Sequence, residues 1–88
     1  MSQPKVEIYT KLYCGYCYRA KRLLESKGVE FEEYDITLGG PKRTEMLARK
    51  PDARTVPQIF IDGKAIGGSD DLARLDSEGK LDGMLGLA

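Results

Sequence analysis

The chain has 88 residues, of which 41% are hydrophobic and 32% charged, a composition that is ordinary for one small soluble globular domain. Fourteen Lys and Arg residues balance fourteen Asp and Glu residues, so the chain lacks the positive field that attracts nucleic acid or an anionic membrane surface. No apolar run approaches the ~20 residues of a membrane span, and residues 1–5 contain no targeting pattern. We therefore expect one domain over residues 1–88 that binds neither nucleic acid nor membrane.

The first half of the chain alternates between strand and helix patterns. Residues 5–9 alternate apolar and polar side chains, which predicts a short strand. From residue 14 onward, apolar residues recur at helical spacing until Gly28, a residue type that commonly ends helices. A second strand is predicted over residues 29–36, with a bulge near Glu33 because the apolar residues change faces there.

The second half predicts a helix, a hairpin and a final helix. Pro41 favours the start of a helix over residues 42–50. An Asp-Gly pair is typical of a type I′ turn and joins predicted strands over residues 58–61 and 64–66. The last helix is predicted to have Ser69 as its N-cap and a buried apolar stripe formed by Leu72, Leu75 and Leu81. The order β-α-β-α-β-β-α predicts a right-handed parallel unit followed by an antiparallel hairpin, with helices on both faces of one sheet.

The chain has two cysteines, Cys14 and Cys17, and no histidine. The absence of histidine excludes Ser-His-Asp and Cys-His catalysis and His-ligated zinc or haem. A disulfide between residues three apart closes only a small loop and cannot join distant parts of the chain. The pair therefore indicates chemistry in a reducing compartment, which we expect to be the cytoplasm.

The segment Cys14-Gly15-Tyr16-Cys17 lies between the first predicted strand and helix. Free N–H groups and the positive end of the dipole at a helix start stabilise an anion, and Lys11 adds a nearby cation. Thiols of such CxxC motifs have pKa values of roughly 3.5–7.5. Cys14 is thus predicted to be the attacking thiolate, and Cys17, one turn inside the helix, to be the less exposed thiol that resolves the intermediate.

Two other interpretations of the cysteines remain open. In the first interpretation, both cysteines are small core residues, although burial does not fit the position of Cys14 before the helix. In the second interpretation, the cysteines form half of a Cys₄ zinc site. Two copies of the chain would have to share this site, because one chain has no further zinc ligands of the Cys or His type.

A second motif, Thr55-Val56-Pro57, directly precedes the third predicted strand. Proline cannot donate a hydrogen bond to a strand ladder, so Pro57 marks the first position of that strand. Only ~5% of X-Pro bonds are cis in folded proteins, so the local sequence alone favours a trans bond.

The third motif, Gly67-Gly68-Ser69-Asp70-Asp71, has two interpretations. It is either an ordinary capped helix start or an anion site, in which the glycines let a ligand approach the backbone and the helix N-terminus receives a carboxylate. Asp70 and Asp71 would then pair with an ammonium group beside that carboxylate. The second interpretation predicts recognition of a zwitterion of the amino-acid type.

Together these three motifs resemble the glutaredoxin family, most closely the small bacterial dithiol glutaredoxins. The resemblance rests on KxxCxYC from Lys11, TVPQIFIDG from Thr55 and IGGSDDL from Ile66, in this order. It implies an α/β, thioredoxin-like fold with a four-stranded mixed sheet in the order 2-1-3-4, flanked by helices. It also implies a cis peptide bond before Pro57, against the local preference.

The resemblance further implies glutathione as ligand and co-substrate. Cys14 would form the mixed disulfide with its sulfur, Val56 would bind its backbone, and Lys11 would pair with its glycine carboxylate. The expected glutathione-binding residues are Lys11, Tyr16, Thr55, Val56, Pro57, Gly68, Ser69, Asp70 and Asp71. Arg43 or Arg54 would assist at the glycine end, unless both are simply solvated surface residues.

We therefore predict a monomeric glutathione-disulfide oxidoreductase whose catalytic residues are Cys14 and Cys17 and whose partners are glutathionylated or disulfide-containing proteins. In this family the common active-site sequence is CPYC, and Gly15 replaces its proline here. The alternative hypothesis is therefore a dimer that holds a glutathione-ligated [2Fe–2S] cluster, with Cys14 as the protein ligand. A thioredoxin-type enzyme is disfavoured because the chain lacks tryptophan and a WCGPC motif.

Overall fold

A computed structural model describes residues 3–87 and contains a single four-stranded sheet within them. The elements are β1 (Val6–Thr10), α1 (Gly15–Ser26), β2 (Glu32–Asp35), α2 (Pro41–Arg49), β3 (Gln58–Ile61), β4 (Lys64–Gly67), α3 (Ser69–Ser77) and α4 (Leu81–Met84). The sheet order is β2-β1-β3-β4, with β1 parallel to β2 and β3 antiparallel to both β1 and β4. This confirms the predicted fold class and strand order. Among these helices, none is long and apolar enough to cross a membrane.

Strand β1 is buried along its whole length because helices cover both faces of the sheet. Val6 and Ile8 belong to the larger core cluster, which α1 enters through Ala20 and Leu24 and α3 through Leu72. The opposite face carries a smaller cluster made of Tyr9, Ile36, Met46 and Phe60. Successive side chains of β1 thus point into two separate cores, as the period of a strand requires.

A polar network fastens α2 to the sheet beneath it. The guanidinium of Arg49 donates to both carboxylate oxygens of Glu7, at 3.1 and 3.0 Å, and to the hydroxyl of Tyr9 at 3.0 Å. Tyr34 donates its hydroxyl to Glu7 at 2.9 Å, and Tyr9 donates to Glu45. Burial alone would raise the pKa of Glu7, but the hydrogen bonds from Arg49 and Tyr34 outweigh burial and lower it below its usual value.

The predicted bulge near Glu33 is wrong. The register between β1 and β2 is continuous from Glu7↔Glu32 to Thr10↔Asp35. Val29 and Phe31 pack on the larger core cluster before β2 begins, so the change of face needs no irregularity within the strand.

The prediction of a single last helix with Ser69 as its N-cap is also wrong. Gly68 is the N-cap of α3, and Ser69 is the first helical residue. The helix ends at Ser77, and Gly79 adopts a φ of 75°, a left-handed conformation that interrupts helices. Leu81 is buried as predicted, but it belongs to the separate helix α4.

Arg49→Met should lower the free energy of unfolding by about 2 kcal/mol, because it leaves the buried Glu7 carboxylate without its main partner. Tyr34 and Lys5 still face Glu7, so the loss should be smaller than the ~3–5 kcal/mol typical of a broken buried pair. Urea unfolding at pH 7 measures the change. Arg22→Met, on the exposed face of α1, is the matched control.

The same pair also predicts how stability depends on pH. A carboxyl whose pKa is lowered on folding contributes stability above its unfolded pKa of about 4.3, and this is lost as the pH falls through the folded value. The protein should lose stability below about pH 4, and Arg49→Met should lose less over that range. Equal acid sensitivity of the two proteins would contradict the assignment.

Candidate active site

The sulfur of Cys14 caps the N-terminus of α1. Cys14 has an extended backbone, with φ −104° and ψ 106°, and its Sγ accepts the backbone N–H of Cys17 at 3.1 Å. The thiol also reaches the carbonyl oxygen of Val56 at a sulfur–oxygen distance of 3.8 Å. Cys14 is partly exposed, so its sulfur is both open to an incoming disulfide and next to free N–H groups that stabilise negative charge.

Cys17 lies one turn further along the helix, against the core, as predicted. Its exposed fraction is 2%, and neither cysteine is in a disulfide. Burial, followed by the hydrogen-bonded neighbour Cys14, raises the pKa of the Cys17 thiol to about 12. Cys17 is therefore a protonated thiol at neutral pH.

A rim of exposed apolar side chains surrounds Cys14. Tyr13, in a left-handed conformation with φ 57°, is fully exposed one residue before the cysteine. Leu12, Tyr16 and Tyr18 are each more than half exposed. The sequence analysis singled out only Tyr16 of these four residues, through the family motif. Leu12 and Tyr13 lie in the connector before α1, where no periodic pattern indicates exposure.

The peptide bond between Val56 and Pro57 is cis. This confirms what the family resemblance implied and overturns the local preference for trans. The buried side chain of Gln58 donates from Nε2 to the carbonyl oxygen of Thr55 at 2.8 Å, so it supports this segment from within the strand. The segment forms one wall beside Cys14.

An open groove of about 630 Å³ runs from this wall to the start of α3. It brings together eight of the nine residues predicted to bind glutathione, namely Tyr16, Thr55, Val56, Pro57, Gly68, Ser69, Asp70 and Asp71. Lys50 and Gln58 also line it and were missed by the sequence analysis. The spacing of the motifs along the chain gave no sign that the end of α2 approaches β3 here.

Lys11, the ninth predicted residue, lies outside this groove. It lines a cavity of about 440 Å³ with Cys14 and Cys17, and a smaller one of about 290 Å³ with Arg43 and Arg54. Thr55 and Val56 border both the smaller cavity and the groove. Three cations therefore lie on one side of this segment, and the carboxylates at the start of α3 lie on the other.

The start of α3 is built around the carboxylate of Asp71. Its Oδ2 accepts the backbone N–H of Gly68 at 2.9 Å, and its Oδ1 accepts Nη2 of Arg74 at 2.6 Å. Gly67 has a φ of 113°, and any side chain there would collide with that carboxylate. The sequence analysis missed both contacts, although the spacing of three residues between Asp71 and Arg74 is a signal for such a helical pair.

Comparison with known proteins agrees with this geometry. The family model described as Glutaredoxin matches residues 6–66. The chain belongs to the glutaredoxin family. It is 58% identical over 80 residues to glutaredoxin 3 of Escherichia coli strain K12, covering 91% of this chain and 95% of that protein.

Solved structures of the family also superimpose on the chain. The solution structure of glutaredoxin from Brucella melitensis is 47% identical, with a TM-score of 0.82, and covers 99% of this chain and 94% of its own. The crystal structure of a buckwheat glutaredoxin–glutathione complex is 32% identical, with a TM-score of 0.80, and covers 94% and 77%. The family membership supports thiol–disulfide chemistry at Cys14 and Cys17.

Proposed function

We propose that the chain is a glutathione-dependent oxidoreductase that reduces glutathionyl mixed disulfides and protein disulfides. The observation that carries this proposal is the position of the Cys14 sulfur, which caps α1 and lies beside the Val56 wall of the groove. The relative from buckwheat is a complex with glutathione, which further supports glutathione as the ligand.

The first reaction is removal of glutathione from a protein. The Cys14 thiolate attacks the glutathionyl sulfur, the bond between glutathione and the protein breaks, and the protein leaves as a thiolate. The enzyme then carries glutathione on Cys14. A second glutathione thiolate attacks that disulfide, which releases oxidised glutathione and restores the Cys14 thiolate.

Reduction of a protein disulfide uses both cysteines. Cys14 attacks one sulfur of the substrate and forms a mixed disulfide with it. Cys17, whose backbone N–H lies 3.1 Å from the Cys14 sulfur, then attacks that sulfur, loses its proton and releases the substrate as a dithiol. Two glutathione molecules reduce the resulting Cys14–Cys17 disulfide.

The charges around the site fit the two ends of glutathione. Lys11, with Arg43 or Arg54, would receive the glycine carboxylate on one side of Val56. The N–H groups of Ser69 and Asp70 would bind the γ-glutamyl carboxylate on the other side, where the start of a helix favours an anion.

Two further features fit the two parts of a glutathionylated protein, namely its glutathione and the protein itself. Asp71 would bind the γ-glutamyl ammonium, while the exposed apolar rim beside Cys14 would contact the protein that carries the disulfide.

We also propose that the protein works as a monomer in the cytoplasm, where a reducing environment keeps both thiols free.

Single cysteine variants test the proposal. Cys14→Ser should abolish both activities, because the remaining thiol of the chain, Cys17, is buried. Cys17→Ser should retain most deglutathionylation, since glutathione resolves that intermediate, but should lose at least tenfold in kcat/KM for a protein disulfide. Glutathione-coupled assays with one substrate of each kind measure both values. Equal loss of deglutathionylation in the two variants would refute the assigned roles.

The second candidate function is a dimer that holds a glutathione-ligated [2Fe–2S] cluster. Among residues 3–87 no three His, Cys, Asp or Glu side chains are grouped to hold a metal ion, so one chain would supply only the thiolate of Cys14. The observation that favours it is the open space at Gly15, where an added Cβ would meet no atom within 4 Å. A second chain and two glutathione thiolates would complete four sulfur ligands.

Anaerobic reconstitution with iron, sulfide and glutathione tests this candidate. The protein should become a coloured dimer by visible absorption and sedimentation, and Gly15→Pro should suppress it because the proline ring stiffens the loop next to Cys14. A colourless monomer with Cys14 still reduced would exclude the cluster and leave the oxidoreductase proposal unaffected.

A further inference from the structure

Asp71 lines two cavities, and Ile66 is the other residue that they share. One is the groove described above, and the other is a smaller cavity of about 270 Å³ lined by Ile66, Asp71, Arg74, Leu75 and Glu78. Arg74 lines this rear cavity and is not among the residues that line the groove. A ligand in the groove therefore meets the Asp71 carboxylate, but not the Arg74 side chain.

Both oxygens of this carboxylate are already engaged. Oδ2 accepts the N–H of Gly68 as part of the helix cap, so one of the lone pairs on this oxygen is occupied. Arg74 donates to the other oxygen, Oδ1, at 2.6 Å. The guanidinium thus offsets the charge that the carboxylate presents to the groove, without occupying space in it.

We propose that Arg74 is a specificity-determining residue that limits how strongly the site selects ligands carrying an ammonium group. The inference rests on the proposed function, in which the γ-glutamyl ammonium of a glutathionyl substrate meets Asp71. An incoming ammonium meets a carboxylate whose charge Arg74 already partly offsets, and it is repelled by the positive charge of Arg74. Arg74 thereby weakens selection for the ammonium group, while the N–H groups of Ser69 and Asp70 remain available to the ligand carboxylate.

The size of the effect follows from the exposure of the pair. The side chains of Arg74 and Asp71 are 61% and 45% exposed, so water and salt screen their interaction. Exposed charge pairs of this kind change an equilibrium by about two- to fivefold. Removal of the Arg74 charge should therefore raise selection for the ammonium by about that factor, and more at low salt than at high salt.

The experiment compares two substrates. Mixed disulfides of one cysteine-containing peptide are prepared with glutathione and with the same tripeptide lacking the γ-glutamyl amino group. The ratio of their kcat/KM values measures selection for the ammonium. Arg74→Gln should raise this ratio about two- to fivefold, whereas Arg74→Lys, which keeps the charge, should stay near the unmodified protein. Arg22→Gln removes the same charge from α1 and should leave the ratio unchanged.

A double-mutant cycle with Asp71→Asn separates this role from a structural one. The amide oxygen that Asp71→Asn introduces can still accept the N–H of Gly68, but the side chain no longer carries the charge that Arg74 offsets. Arg74→Gln should then have little effect on the ratio. An unchanged or lower ratio for Arg74→Gln alone, or the same increase in the Asp71→Asn background, would overturn the inference.

Failure of the proposed function gives a different result. If the unmodified protein turns over neither substrate, the proposed function is wrong. Calorimetric binding of S-methylglutathione and of its counterpart without the amino group then tests Arg74 by itself. The same two- to fivefold change in the ratio of binding constants would support the inference, and equal ratios in Arg74→Gln and the unmodified protein would reject it.

Discussion

The hydrogen bond from the Cys17 N–H to the Cys14 sulfur is the contact on which the site depends. Through this bond the Cys14 sulfur caps α1, so the sulfur keeps a defined position relative to the helix. The helix is fixed in turn because Ala20 and Leu24 are fully buried against β1. The two thiols have different environments. Cys14 is partly exposed at the end of the helix, whereas Cys17 is buried one turn inside it.

The opposite wall of the site depends on α2. Within the part of the chain that the structure describes, Met46 is the one buried residue of this helix, so apolar packing alone holds it weakly. The ion pair between Arg49 and Glu7 compensates, and Arg49 also lies 4.0 Å from the ring centroid of Phe60. The loop that carries Thr55 and Val56 leaves from the end of α2. A partly buried charge pair thus helps to hold α2, and with it the start of the loop that lines the groove, against the sheet.

Sequence patterns predicted most of this architecture because they are local. The alternation of β1, the helical spacing after Cys14 and the Asp-Gly turn each depend on a few neighbouring residues, and Asp62 and Gly63 do have positive φ angles. Contacts between distant segments were not predictable in this way. The partnership of Glu7 with Arg49 joins a strand to a helix forty-two residues later, and Lys11 lies in a different cavity from the groove although its motif matches the family. The cap at Gly68 was missed because glycine has no side chain that marks it as a cap, and its N–H is instead bound by the Asp71 carboxylate three residues later.

The central claim is that glutathione attached to Cys14 extends along the groove to the start of α3. Backbone amide NMR of the Cys17→Ser variant tests it directly. Once the mixed disulfide has been formed with oxidised glutathione and free glutathione has been removed, no thiol remains in this variant to resolve it. The account predicts that formation of the disulfide shifts the amide signals of Val56, Ser69 and Asp70, which line the groove. Shifts confined to residues 12–18, with the start of α3 unchanged, would contradict it.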